Sequence, residues 1–305
     1  MTLAADLSTK TLGLTGAVDL AAAVLRHLES MKREDLLIPN SPLVLRTVAP
    51  RRGARIPLRP LNSELFIDDS AEYVASVTDF LQLIRKLQQT NGKLDQKRLK
   101  QVKEERLIGR SLYTTVQALG AGMDVLLTSN QSRKNFGMRF EEVVESLFAD
   151  LGLGQAPLNL ALPYKVAPTG EAMFRNQVDL VISPTPPISS RSDFLDPDEV
   201  VVSIKTSSKD RFAKIFLDKE VLRAVTGQDI PVLALFHNDV QRSGANRVSV
   251  TFVAGNFNAY VETFGPLNGV YYIDPPPHIN RYPWSRHLKT FEDLLLSDLW
   301  KIVFR

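Results

Sequence analysis

Apolar residues recur at helical spacing over 15–34, where Ala17, Leu20, Val24 and Leu28 form one stripe, so the first element is predicted to be a helix. Two further helical patterns follow, at 70–89 with Asp69 or Ser70 as its cap, and at 95–119. The last of these also carries Lys97, Arg98, Lys100, Lys103 and Arg106. Between the first and second lies a stretch dominated by proline and arginine, 39–60, with Arg51, Arg52, Arg55 and Arg59. It reads as an extended connection over the surface. Residues 1–125 are thus predicted to be mainly α-helical.

Beyond Asn135 the pattern changes to a helix and then to short β-rich runs: QVDLVIS at 177–183, EVVVSIK at 199–205, PVLALF at 231–236 and VSVTFVAG at 248–255. The proline- and serine-rich segment after the first run makes a long connecting loop, and 290–303 makes a terminal helix. The chain therefore divides into a helical region, 1–125, and a mixed α/β region, 126–305, that should hold the chemistry.

Composition narrows that chemistry. The absence of cysteine removes disulfides, thiolate zinc sites and cysteine nucleophiles together. His27, His237, His278 and His287 show no metal-ligand spacing, so any metal is expected on oxygen ligands. No apolar run is long enough to span a membrane and MTLAADLSTK does not read as a leader, which places the chain in the cytoplasm. A net charge of +3 is compatible with a polyanionic partner but carries little weight in a chain of 305 residues.

The motifs carry more. On QVDLVIS the two-residue period puts Asp179 with Gln177 and Val181, and Val178, Leu180 and Ile182 on the opposite face. On EVVVSIK, Ser203 and Lys205 point together, and Lys205 at the strand end can meet Asp179. In isolation such a pair is an ordinary ion pair at a sheet edge. Here, however, a polar turn and a helix follow at once, with Ser208 as a candidate cap and Phe212, Ile215, Phe216 and Leu222 as its stripe. Asp218, seven residues after Arg211, comes round by about 700° to nearly the same face, whereas Glu220 falls about 180° away. Asp218 is the better candidate for a carboxylate facing Lys205, with Glu220 the alternative. Converging carboxylates and a lysine are what a nuclease needs to hold a hard cation such as Mg²⁺ and to neutralise charge at phosphorus.

Over 132–223 the sequence resembles the PD-(D/E)XK nuclease superfamily, and within it the restriction endonucleases that read CCGG or CCNGG. Three segments carry the resemblance: Gly137, Phe140 and Glu141 in a G-x-x-F-E helix, the strand with Asp179, and SIKTSSKDR followed by Asp218. In that group the acid two places before the lysine is replaced by serine or a similar residue, and a carboxylate on the next helix compensates. Ser203, Lys205 and Asp218 match this arrangement, with Val178 in place of the usual proline and Asp218 in place of the commoner glutamate. The resemblance implies a restriction-endonuclease-like mixed central β-sheet flanked by helices, Mg²⁺ on Asp179 and Asp218, and Glu141 completing or buttressing the site. It also implies 5′-phosphate products and a partner DNA methyltransferase.

Lys209, Asp210 and Arg211 stand where a helix N-terminus can enter the major groove. Arginine donates to guanine O6 and N7 and aspartate accepts from cytosine N4, so the tripeptide suits C·G pairs. By the resemblance, Gln131 or Arg133 would read another pair, and Arg133 serves equally well as a phosphate contact. A symmetric site cut on both strands calls for a homodimer, with a tetramer as the alternative, and the helical region would supply DNA or dimer contacts. Two readings compete: a repair or junction-resolving nuclease that keeps Asp179 and Lys205 without base readout, and a DNA-binding protein without catalysis.

Overall fold

The computed structural model describes residues 2–9, 13–50, 53–166, 168, 170–209, 211–244, 246–277, 279 and 281–304. Helices α1 (Leu3–Ser8) and α2 (Gly13–Glu29) open the chain, and α2 buries Leu14, Ala17, Ala21, Val24 and Leu25 along one stripe. It stops short of 34 because the next residues pair as strands. β1 (Lys32–Leu37) runs antiparallel to β2 (Leu43–Ala49), which also pairs with β3 (Ile56–Pro57) and β4 (Leu61–Asn62).

The expected surface connection is therefore a small sheet with Leu43, Val44, Leu45 and Val48 buried. Among the described residues, Arg46, Arg55 and Arg59 are neutralised within the fold. Arg46, 5% exposed, donates to both oxygens of Asp35 at 2.8 Å and to Asp68, Arg55 pairs with Glu34, and Arg59 donates to Asp124 at 3.0 and 2.8 Å. Arg51 and Arg52 lie outside the described residues.

Helix α3 (Ser70–Thr90) starts at Asp69, whose carboxylate accepts the Glu72 N–H at 2.7 Å. The single helix expected over 95–119 is two, α4 (Gln96–Glu104) and α5 (Leu107–Leu126), because Arg106 turns left-handed at φ 50°. Helix α6 (Ser129–Asp150) begins in a reciprocal cap between Thr128 and Gln131.

The remainder builds a six-stranded sheet from β5 (Gly154–Val166), β6 (Gly170–Ser183), β7 (Val200–Lys205), β8 (Val232–Phe236), β11 (Gly269–Tyr272) and β12 (Leu288–Thr290). Strands β5, β6 and β7 are antiparallel neighbours; β7, β8, β11 and β12 run parallel. Helix α7 (Phe212–Thr226) connects β7 to β8. The strand expected at 248–255 shrinks to β10 (Val248–Val250), paired with β9 (Val240–Arg242), and its last residues start α8 (Ala254–Phe264). There Phe257 packs on Phe212 and Phe216. The chain ends in helical turns over 291–303, including α9 (Phe291–Asp293) and α10 (Leu299–Val303).

Helices cover both faces of this mixed sheet. Leu180, Ile182, Val202, Ile204, Leu233 and Leu235 share one core with residues of α2, α3, α5, α6 and the C-terminal turns. Val181, Val201, Val232 and Ala234 share a second with α7 and α8. The N-terminal helices thus pack directly into the core of the sheet. Among the described residues no helix is long and apolar enough to cross a membrane.

Candidate active site

Strand β6 carries an extra residue where the site begins. Its pairing with β5 passes from Ala156–Val181 to Leu158–Val178, so Pro157 faces two residues, Asp179 and Leu180. Proline has no N–H to give a ladder, and it falls where the ladder is already interrupted. Strict alternation puts Val178 on the side of Leu180 and Ile182; the bulge moves it into the other core, with Val181.

The ladder between β6 and β7 covers Leu180–Val202 to Ile182–Val200. Next to its end, the Asp179 carboxylate takes over as acceptor. Its Oδ2 receives the Ile204 N–H at 2.8 Å, the Lys205 ammonium, and the Ser203 hydroxyl at 3.4 Å. Three consecutive residues of β7 thus converge on one oxygen. The Asp179 and Lys205 side chains keep 15% and 25% of their surface exposed, so the pair can be reached from solvent.

That surface opens on a cavity of about 360 Å³ also lined by Glu141, Arg211, Lys214 and Asp218. Helix α7 presents Lys214 and Asp218 from one wall, Arg211 stands just before its start, and α6 brings Glu141. Asp218 accepts from Lys214, one turn earlier on α7. Glu220 is not among the lining residues and pairs instead with Arg223 at 2.5 Å. A second cavity of about 570 Å³ adjoins the first, shares Glu141, Gln177 and Asp179 with it, and adds Glu142 and Glu145.

Among the described residues no three histidine or carboxylate groups converge closely enough to cage a metal. Mg²⁺ does not require that: it is commonly bound by one or two carboxylates with water and substrate phosphate completing the shell. Asp179 and Asp218 on one solvent-reached cavity fit such a donor set.

Residues proposed to touch bases divide into two groups. Lys209 is exposed on the turn after β7, and Arg211 is exposed and lines the cavity; Asp210 lies outside the described residues. Gln131 spends its amide oxygen on the Thr128 N–H and hydroxyl, at 3.2 and 2.8 Å. Arg133 is exposed and donates to the Ser129 carbonyl and the Asn130 side chain at 3.2 and 3.4 Å. Neither lines the cavity.

The crystal structure of the type IIP restriction endonuclease Kpn2I superimposes with a TM-score of 0.67, over 95% of this chain and 91% of that one, at 17% identity. The fold is that of a restriction endonuclease. The complex of the restriction endonuclease PspGI with substrate DNA aligns with a TM-score of 0.40 and 13% identity, over 76% of this chain and 91% of that one. No family model and no curated protein matches the sequence.

Two residues of this restriction-endonuclease fold escape a linear reading. Lys214 is signalled only by its four-residue spacing from Asp218. Asp239 sits in a segment, His237–Asn238–Asp239, that reads as a turn, yet it is 1% exposed. It accepts from the Ser208 N–H at 2.6 Å and from the hydroxyls of Ser208, Tyr272 and Thr251 at 2.7, 2.7 and 2.9 Å. Ser208 therefore anchors the turn to β8 and does not cap α7, whose first turn lacks a side-chain cap. Burial raises the Asp239 carboxyl above the usual range, against those four hydrogen bonds. His237, stacked on Tyr113 at 5.2 Å, is pushed down to about 3 by burial, and neutral imidazole there packs the core.

Proposed function

We propose that this chain is a type II restriction endonuclease of the bacterial cytoplasm, cutting both strands of DNA at a short symmetric C- and G-rich site that contains CCNGG or CCGG. The observation that carries the reading is the meeting of Asp179, Lys205, Asp218 and Glu141 on one cavity, within a fold shared with a type IIP restriction endonuclease.

In this reading Asp179 and Asp218 hold Mg²⁺, which when bound polarises the scissile phosphate and acidifies a water. Lys205 is kept beside Asp179 by its strand-end position. Its ammonium offsets negative charge on the phosphate as water attacks in line; the P–O3′ bond breaks, the 3′-oxygen leaves and takes up a proton, and the phosphate stays on the 5′ end. Ser203 and the Ile204 N–H fix the carboxylate so that it stays aimed at the cavity. Glu141 supports the same space from α6. Lys209, Asp210 and Arg211 read C·G pairs, and Gln131 or Arg133 at the start of α6 reads another. Twofold symmetry in the DNA asks for a homodimer, and a methyltransferase of the same specificity protects the host.

The test is incubation of the purified protein with long, fully sequenced, unmethylated DNA, with Mg²⁺ or chelator, alongside Lys205→Ala. Discrete ends inside one C- and G-rich motif, absent with chelator and in the variant, are expected. Structure-dependent nicks would replace this reading with a repair nuclease, and intact DNA with a binding protein.

A further inference from the structure

Lys209 and Gln241 belong to different elements, yet the lysine ammonium donates to the glutamine carbonyl oxygen at 3.5 Å. Gln241 is the central residue of β9, paired with Ser249 of β10, and its side chain is exposed. The hairpin is locked to the turn by one carboxylate. Asp239 precedes β9; it binds Ser208, the residue before Lys209, and Thr251, the residue after β10. Its backbone carbonyl also accepts the Thr251 N–H at 2.7 Å. From the other side Arg242 donates to the Leu58 carbonyl at 3.1 Å and holds β9 against the N-terminal region.

The side chains follow one another outward from the cleft. Arg211 lines the cavity, Lys209 stands two residues before it, and Gln241 touches Lys209 without lining the cavity. Lysine and arginine carry donors only, which suits the two acceptors of guanine; a glutamine amide carries a donor and an acceptor, which suits adenine N7 and N6. We propose that the β9–β10 hairpin is a second specificity element and that Gln241 reads an A·T pair flanking the C/G core. The proposal rests on the endonuclease reading above.

The experiment is cleavage of a duplex library in which the core motif is flanked by every base combination, with cut and uncut fractions sequenced for wild type, Gln241→Ala and Gln241→Glu. Both substitutions are at an exposed position and leave the core intact. Wild type is expected to favour one flanking A·T pair by about 5- to 150-fold, the range of a bidentate base contact. Gln241→Ala should lose that preference with the core requirement unchanged. Gln241→Glu, left with acceptors only, should move it toward a pair that offers the cytosine amine. The inference is overturned if wild type shows no flanking preference around a specified core, or if both variants keep the wild-type preference. Cleavage by wild type at no defined sequence would instead remove the endonuclease reading, and this inference with it.

Discussion

Lys214 donates to the carboxylate of Asp218 one turn further along α7, so the acid that shares the cavity with Asp179 is already held by a cation of its own helix. A metal held by Asp218, as proposed, would compete with that ammonium. An exposed pair at this spacing is worth about 0.3–0.5 kcal/mol, so Lys214→Ala should lower the Mg²⁺ concentration for half-maximal cleavage about twofold. Titration of the initial cleavage rate with Mg²⁺ gives the answer; an unchanged or higher midpoint would show that the pair does not restrain Asp218.

Among the described residues of β7 and the turn after it, Lys205 alone reaches Asp179 with a charge. Lys205→Ala is expected to slow cleavage by about 10²–10³, the cost of removing one donor aimed at developing charge. Binding of the same DNA in Ca²⁺, measured by gel shift, should change little. Equal losses in binding and in rate would place Lys205 in DNA docking instead.

Asp274 is buried and its carboxyl is raised to about 6 by desolvation, against the hydrogen bond that Asn62 donates at 2.8 Å. The folded protein therefore keeps this proton between pH 4 and 6, where the unfolded chain has lost it. The stabilisation is complete below pH 4 and is lost as pH rises through 6. Asp274→Asn should melt higher than wild type at pH 7.5, by at most about 3 kcal/mol for the two-unit shift, and the difference should vanish toward pH 4. Thermal denaturation across that range tests it, and a pH-independent difference would mean that Asp274 is not the titrating group.

Arg46 holds Asp35 and Asp68 together under the N-terminal sheet, and its hydrogen bond keeps the Asp35 carboxyl below the ordinary range. Removing one partner of such a network costs about 3 kcal/mol where the acids retain some contact with water. Arg46→Ala should show that loss in urea denaturation. DNA affinity measured well below the unfolding midpoint should be unaffected, because this arginine faces carboxylates within the fold. A selective loss of affinity would instead place it on the DNA surface.

What could be read from the sequence follows from which signals are local. Helix α3 is visible in its stripe and in Asp69, because a 3.6-residue period and a capping carboxylate both act within a few residues. The contact between Asp179 and Lys205 is visible because both lie on strands whose faces alternate. The choice of Asp218 over Glu220 at the cavity is visible as a rotation along one helix. The sheet over 32–62 is hidden because LVLRTVA is buried at each of its first four positions and KREDLL is exposed throughout, so neither strand alternates, and the arginines find carboxylates as far away as Asp124. The left-handed turn at Arg106 has no glycine or asparagine to announce it. Asp239 becomes an anchor only when the end of β8, the turn at Ser208 and the end of β10 meet in space, which no spacing records.

The extra residue in β6 gives the strand two reading frames. Downstream of the Pro157 gap its residues alternate in one phase, upstream in the other, and Asp179 stands at the change of phase. The acid is thus specified by a count as well as by an identity. Deleting one residue between Val178 and Val181 would restore simple pairing with Val178 still opposite Leu158 and the outer half of β6 on its present face, but it would leave one position opposite Pro157, so that Asp179 is either lost or takes the place of the buried Leu180. A one-codon deletion there would disarm the cleft while leaving every side chain that lines its other walls in place, a vulnerability that substitution scanning alone would never reveal.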